Sequence, residues 1–131
     1  MIVSSSYLRR VLAADALASG MTGILLAAGG DLLQSLTDLP VSFSQPAGFF
    51  LIAYAAAVGW LASRRTTPGA LVWAVIVVNL LWATESLVML ATGFLAPTPF
   101  GYIFVIGQAV VVAAFAQLEV IGLRRSQRLA R

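Results

Sequence analysis

The chain has 131 residues, of which 60% are hydrophobic and 10% charged, and its mean hydropathy is +0.95. Soluble domains are about half apolar and a quarter charged, so a water-soluble fold of this length cannot hide so much apolar surface. All eight basic residues are arginine, the net charge is +3, and cysteine and histidine are absent. This excludes disulfides, His or Cys ligation of zinc or haem, and any catalytic triad with a histidine base.

Four apolar stretches are long enough for the about 17–25 residues that cross roughly 30 Å of hydrocarbon as a helix. They run approximately over Val11–Gly30, Ala47–Ser63, Ala70–Leu95 and Phe100–Leu123. Each is apolar nearly all round, without the polar stripe of a soluble amphipathic helix, and backbone groups in lipid must be satisfied within the segment. The expected fold is therefore all-α, a single four-helix transmembrane bundle over residues 1–131. The basic pair before the first span also fits a signal peptide. The length of the apolar run, the presence of Asp15 and the indifferent cleavage site at 27–30 argue for an uncleaved first span.

Before the first span stand Arg9 and Arg10; between the second and third, Arg64 and Arg65; after the fourth, Arg124, Arg125, Arg128 and Arg131. The other two loops hold no basic residue. The positive-inside rule then expects both termini in the cytoplasm and makes the net charge a matter of topology, not of nucleic-acid binding. Exclusive use of arginine in a chain rich in Ala, Gly, Leu and Val suggests a GC-rich bacterial genome, and hence the inner membrane. Trp60 and Trp73 bracket the arginine-bearing turn, and Phe94, Phe100 and Tyr102 the opposite one, as aromatic belts do.

In the loop after the first span, Asp31 is expected to cap a short interfacial helix whose Leu32, Leu33, Leu36 and Leu39 share one face, ended by Pro40. The turns at 66–69 and 97–99 are tight, so neighbouring spans form antiparallel hairpins. Ser19 and Gly23, and Ala55 and Gly59, have the small-xxx-small spacing of close helix contacts.

Function is sought where polar groups lie at membrane depth, because they are costly there. Counting about 1.5 Å per residue from the arginines, Asp15 and Glu119 share one level about 7–8 Å inside that edge. Asn79 and Thr22 fall near the middle, and Glu85 and Gln108 lie close together in depth beyond it. Helical phase puts Asp15, Ser19 and Thr22 on one face, Asn79, Trp82, Glu85 and Ser86 on one arc, and Gln108 and Glu119 in line. Turned inward, these stripes form a polar axis with two acidic layers, and the second span, lacking a strong polar group, closes the ring. Against this stand the bland readings: Asp15 reaching Arg9 or Arg10, Glu119 reaching Arg124 or an arginine of a neighbouring span, and Asn79 as interhelical glue. Glu85 has no base at its depth, so it is expected to be protonated and hydrogen-bonded, to Gln108, or to face a hydrated cavity. Gln117 points away and marks an oligomer contact or reaches water.

The first functional reading is a non-catalytic component, packed in a larger membrane complex or forming a parallel homo-oligomer. A second is a small-solute or proton-coupled carrier using the carboxylates. In size and span count the chain resembles the small multidrug resistance transporters, which carry an acidic residue in the first span and pair antiparallel. The one-sided arginines speak against antiparallel pairing here. A third reading binds a lipid, quinone, sterol or pigment in a cleft lined by Trp82, Phe104 and Phe115. Enzymatic activity is least favoured, since two carboxylates without His, Cys, Lys or a metal set support only acid-base chemistry. No metal site or cofactor is indicated by any motif.

Overall fold

The computed structural model describes residues 1–129, so Arg131, counted among the arginines above, lies outside the described residues. Four helices are long and apolar enough to cross a membrane: α1 (Ser6–Ala28), α3 (Val41–Ser63), α4 (Gly69–Ala91) and α5 (Pro99–Leu129). The chain is accordingly a multi-pass membrane protein built as an all-α bundle. A short helix α2 (Gly30–Thr37) links α1 to α3.

The helix ends follow local chemistry more closely than hydropathy. Ser5 caps α1, its hydroxyl accepting the Leu8 N–H at 3.1 Å. This extends the helix a turn and a half before the apolar run begins. Pro40 leads directly into α3, which starts at Val41, six residues before the hydropathic span. Pro46 lies inside its second turn and costs only one backbone bond there. α4 stops at Ala91 because Gly93 adopts φ 76°, and the chain turns back so that the Leu95 N–H reaches the Met89 carbonyl at 3.1 Å. α5 continues through the arginines to Leu129, well past Leu123.

Around the bundle the order is α3, α1, α5, α4. α1 packs chiefly on α3 and α4 on α5, with α1 against α5 joining the two pairs. The α1–α3 crossing is set by small residues. A methyl group on Gly23 would sit 2.9 Å from the Gly48 carbonyl oxygen, and one on Gly48 would strike the backbone of Ala27. Gly20 against Ala55 and Gly59 against Ala16 continue the seam. Ser19 of the expected small-residue pair belongs instead to a polar contact described below.

At the arginine-bearing end, Ile2–Val3 (β1) pairs antiparallel with Thr66–Thr67 (β2). Ser4 Oγ and Thr67 Oγ1 lie 3.0 Å apart, and the Ser5 N–H donates to Ser126 Oγ at 2.9 Å. The N-terminal strand, the α3–α4 turn and α5 are thus laced together. The core beneath contains Leu8, Leu12, Val58, Val72, Ile76 and Leu123.

At the opposite end α2 follows α1 almost without a break, through Gly29 and Gly30, the latter at φ 50°. Asp31 makes no capping bond, contrary to expectation, because the junction leaves no separate N-cap turn; it lies in the first turn instead. The leucines do not share one buried face either. Leu33 and Leu39 are buried, Leu33 against Leu26 and Leu51 and Leu39 against Leu95 and Val105, whereas Leu32 and Leu36 are exposed, since α2 packs on the bundle along only one side. Asp38 in the left-handed region ends the helix, and Thr98 fastens it to the α4–α5 turn, its N–H on the Thr37 carbonyl and its hydroxyl on that of Leu36.

Candidate functional site

Two polar centres lie within the bundle, one closed and one open. The closed centre draws one side chain from each spanning helix. Asp15 on α1, Tyr54 on α3, Asn79 on α4 and Glu119 on α5 meet in one hydrogen-bonded knot. The Asn79 amide nitrogen donates to Asp15 Oδ2 at 3.0 Å and to Glu119 Oε1 at 2.6 Å. The Tyr54 hydroxyl lies 2.9 Å from both Asp15 Oδ2 and Asn79 Oδ1, and Ser19 Oγ donates to Asp15 Oδ1 at 3.0 Å. Asp15 is 1% exposed and Glu119 is fully buried. Glu119 Oε2 has no hydrogen-bond partner among the described residues.

Among the described residues no arginine is a partner of these carboxyls. Arg9 Nε donates to the Ala62 carbonyl at 3.1 Å, Arg125 stacks over Tyr7, and Arg124 is exposed. The salt-bridge reading of Asp15 and Glu119 therefore fails: their helical phase points both carboxyls inward, and the apolar layer of Leu12, Val75 and Ile76 separates them from the arginine-bearing edge. Nor does α3 merely close the ring. Tyr54 supplies its hydroxyl, a contribution hidden by counting tyrosine as an aromatic. It stands three to four residues from Val58 and Leu51, both buried, and so faces inward, a direction that the nearly uniform apolar sequence of α3 does not signal.

The open centre is a cavity of about 570 Å³ in the other half of the bundle. It sits between α3 and α4, whose backbones barely touch, with α1 and α5 behind it. Phe43, Phe50, Trp82 and Phe104 form much of its wall, and Glu85, Ser86 and Gln108 are its polar edge. It opens sideways between α3 and α4, where Phe50, Leu81 and Glu85 are exposed.

Trp82 donates its indole N–H to Gln108 Oε1 at 2.7 Å, and Gln108 Nε2 donates to Ser86 Oγ at 3.0 Å and to the Val105 carbonyl at 2.9 Å. These bonds replace the expected contact of Gln108 with Glu85. Trp82 and Ser86 are four apart and occupy the inward side of α4, which leaves Glu85 at the rim. Phe115 is not part of this wall, whereas Trp82 and Phe104 are. Gln117 is exposed on α5.

The two centres touch through aromatic rings. Phe50 stacks on Trp82 with centroids 5.9 Å apart and planes 4° apart, and on Tyr54, one turn away, at 6.5 Å. The floor of the cleft thus lies one helical turn from the carboxyl knot on α3 and on α4. Among the described residues no group of three or more acidic or other ligating side chains suits a metal ion. Comparison with protein-family models, curated proteins and solved structures finds no match.

Proposed function

We propose that the protein is a non-catalytic component of a bacterial inner membrane that holds one amphipathic molecule, drawn from the bilayer, in the cleft between α3 and α4. The cleft carries this reading. Its volume falls in the range of about 300–1,000 Å³ for small-molecule sites, and it combines apolar aromatic walls with a few convergent polar groups. That space suits a ring system or a single chain and is small for both chains of a phospholipid. The ligand's apolar body packs against Phe43, Phe50 and Phe104, and its polar head reaches Glu85 at the rim.

The arginines favour an orientation with both termini in the cytoplasm. The cleft then lies in the outer half of the membrane, and α2 rests at the outer interface with Leu32 and Leu36 turned to lipid. Lateral opening gives access from the bilayer without passage through water.

Native mass spectrometry of the protein, extracted from its host membrane in mild detergent, tests the proposal. One stoichiometric apolar molecule should co-purify with the native protein and be lost from Ala47→Phe, which fills the cleft from α3. Protein free of any bound molecule, or equal retention by the variant, would reject the reading.

A further inference from the structure

The hydrogens of the closed centre do not balance its contacts. Five hydrogen-bonding contacts join Ser19, Asp15, Tyr54, Asn79 and Glu119. The side chains bring only four hydrogens: one from Ser19, one from Tyr54 and two from the Asn79 amide. The Tyr54 hydroxyl cannot donate to Asp15 and Asn79 at once. A sixth position, Glu119 Oε2, is buried with no partner among the described residues. Buried polar atoms without partners are rare in folded proteins and ask for an occupant.

We propose that Asp15 and Glu119 bind one exchangeable proton between them, making the knot an intramembrane proton-binding site. A hydrogen on Asp15 Oδ2 would donate to the Tyr54 oxygen, freeing the Tyr54 hydrogen for Asn79. A hydrogen on Glu119 Oε2 would give the orphan atom a bond of its own toward the adjoining Asp15 carboxyl. On Asp15 the proton supplies the fifth contact; on Glu119 it supplies the orphan atom, and moving between the two it serves each in turn. It also removes one of two like charges that would otherwise adjoin in a dry site.

Among the described residues no cation pairs with either carboxyl. The groups facing the pair are Tyr54 from α3, Asn79 from α4 and Ser19 from α1, with the two carboxyls themselves on α1 and α5. Of the two arginines nearest in sequence to Asp15, Arg10 is exposed and Arg9 is engaged at the Ala62 carbonyl.

The route for exchange is set by packing. Toward the arginine-bearing end the knot is sealed by Leu12, Val58, Val75 and Ile76. On its other side Thr22, Phe50, Val78 and Trp82, each within one or two turns of a knot residue, line the cleft. The proton therefore enters and leaves through the cleft, past Tyr54 and Ser19. Occupancy of the cleft by any molecule that presses on Phe50 is then coupled to proton exchange through the Phe50–Tyr54 stack.

Infrared spectroscopy of the protein in liposomes at neutral pH reads the proton directly, with Glu85→Gln as background so that the rim carboxyl is silent. The expected result is one protonated-carboxyl C=O band that shifts in D2O. Asp15→Asn and Glu119→Gln should each move or abolish it, and the double substitution should remove it. No such band in the Glu85→Gln protein, or a band unmoved by both single substitutions, would overturn the proposal, whether or not the double variant folds. Ala47→Phe should slow the deuterium shift several-fold by filling the cleft; an unchanged rate would overturn the route. None of these readouts depends on an amphiphile being bound, so failure of the proton site and failure of the ligand reading remain separate results.

Discussion

The two halves of the bundle are made from the same four helices and differ in how α3 and α4 are held. At the arginine-bearing half a side-chain knot bridges them, a strand pair seals the end, and the carboxyls are nearly or wholly buried. In the other half the Phe50–Trp82 stack spans them beside a cleft open to the side. In lipid, apolar surface gains little by leaving one apolar neighbour for another, so helices associate through close backbone packing and hydrogen bonds. Where α3 and α4 have neither, they part. The cleft is thus a consequence of where the polar residues and glycines were spent.

Paired substitutions test this contrast. Asn79 and Gln108 each link several side chains, one in the closed half and one in the open half. Asn79→Leu removes three interhelical bonds at once, takes from buried Glu119 its one hydrogen bond and takes one each from Asp15 and Tyr54, so it should cost about 2–5 kcal/mol. Gln108→Leu strands the Trp82 indole beside an open cleft, while the Ser86 hydroxyl keeps its bond to the Trp82 carbonyl, at a cost of about 1 kcal/mol. Reversible unfolding in bicelles measures both, and equal losses would break the distinction between the halves.

Next in size is the α1–α3 seam. Gly48→Ala places a methyl group against the backbone of Ala27 and the Gly23 carbonyl, neither of which can rotate away, and should destabilise by about 1–3 kcal/mol. Gly107→Ala, on α5 with open space around it, should be neutral or stabilising by up to about 1 kcal/mol because alanine is the better helix former. Thermal unfolding of the two variants side by side gives the comparison, and a neutral Gly48→Ala would show that backbone contact does not hold that pair together.

Hydropathy made the four helices legible because nothing else in the chain competes with runs of that length. The ends were less legible, since a serine cap before α1 and a proline within the second turn of α3 carry no hydropathic weight. Depth counting and helical phase placed Asp15 and Glu119 at one level, and Asn79 joins them because an amide a few ångströms deeper reaches down to both. Tyr54 escaped because a ring with a hydroxyl scores as apolar. The cleft was not legible from any single helix. It arises from the absence of contact between α3 and α4, a property of the pair.

The smallest expected effect bears on the residue for which the sequence argued most strongly. Glu85, beyond the middle of its span with no base at its depth, suggests either a bond to Gln108 or a hydrated cavity, and under the first reading Glu85→Gln is tolerated and Glu85→Leu is not. At the rim of the cleft, exposed and without a bond to Gln108, it has no buried partner to lose. Both variants should therefore unfold within about 0.5 kcal/mol of the native protein, as surface substitutions usually do. They should differ instead in the cleft: leucine removes the polar end of the site, glutamine keeps a donor and an acceptor there. Stability equal in both, with less of the co-purifying molecule retained by Glu85→Leu, is the pattern of a residue that belongs to the open half. A stability loss confined to Glu85→Leu would instead move Glu85 into the packed interior and close the cleft at that level.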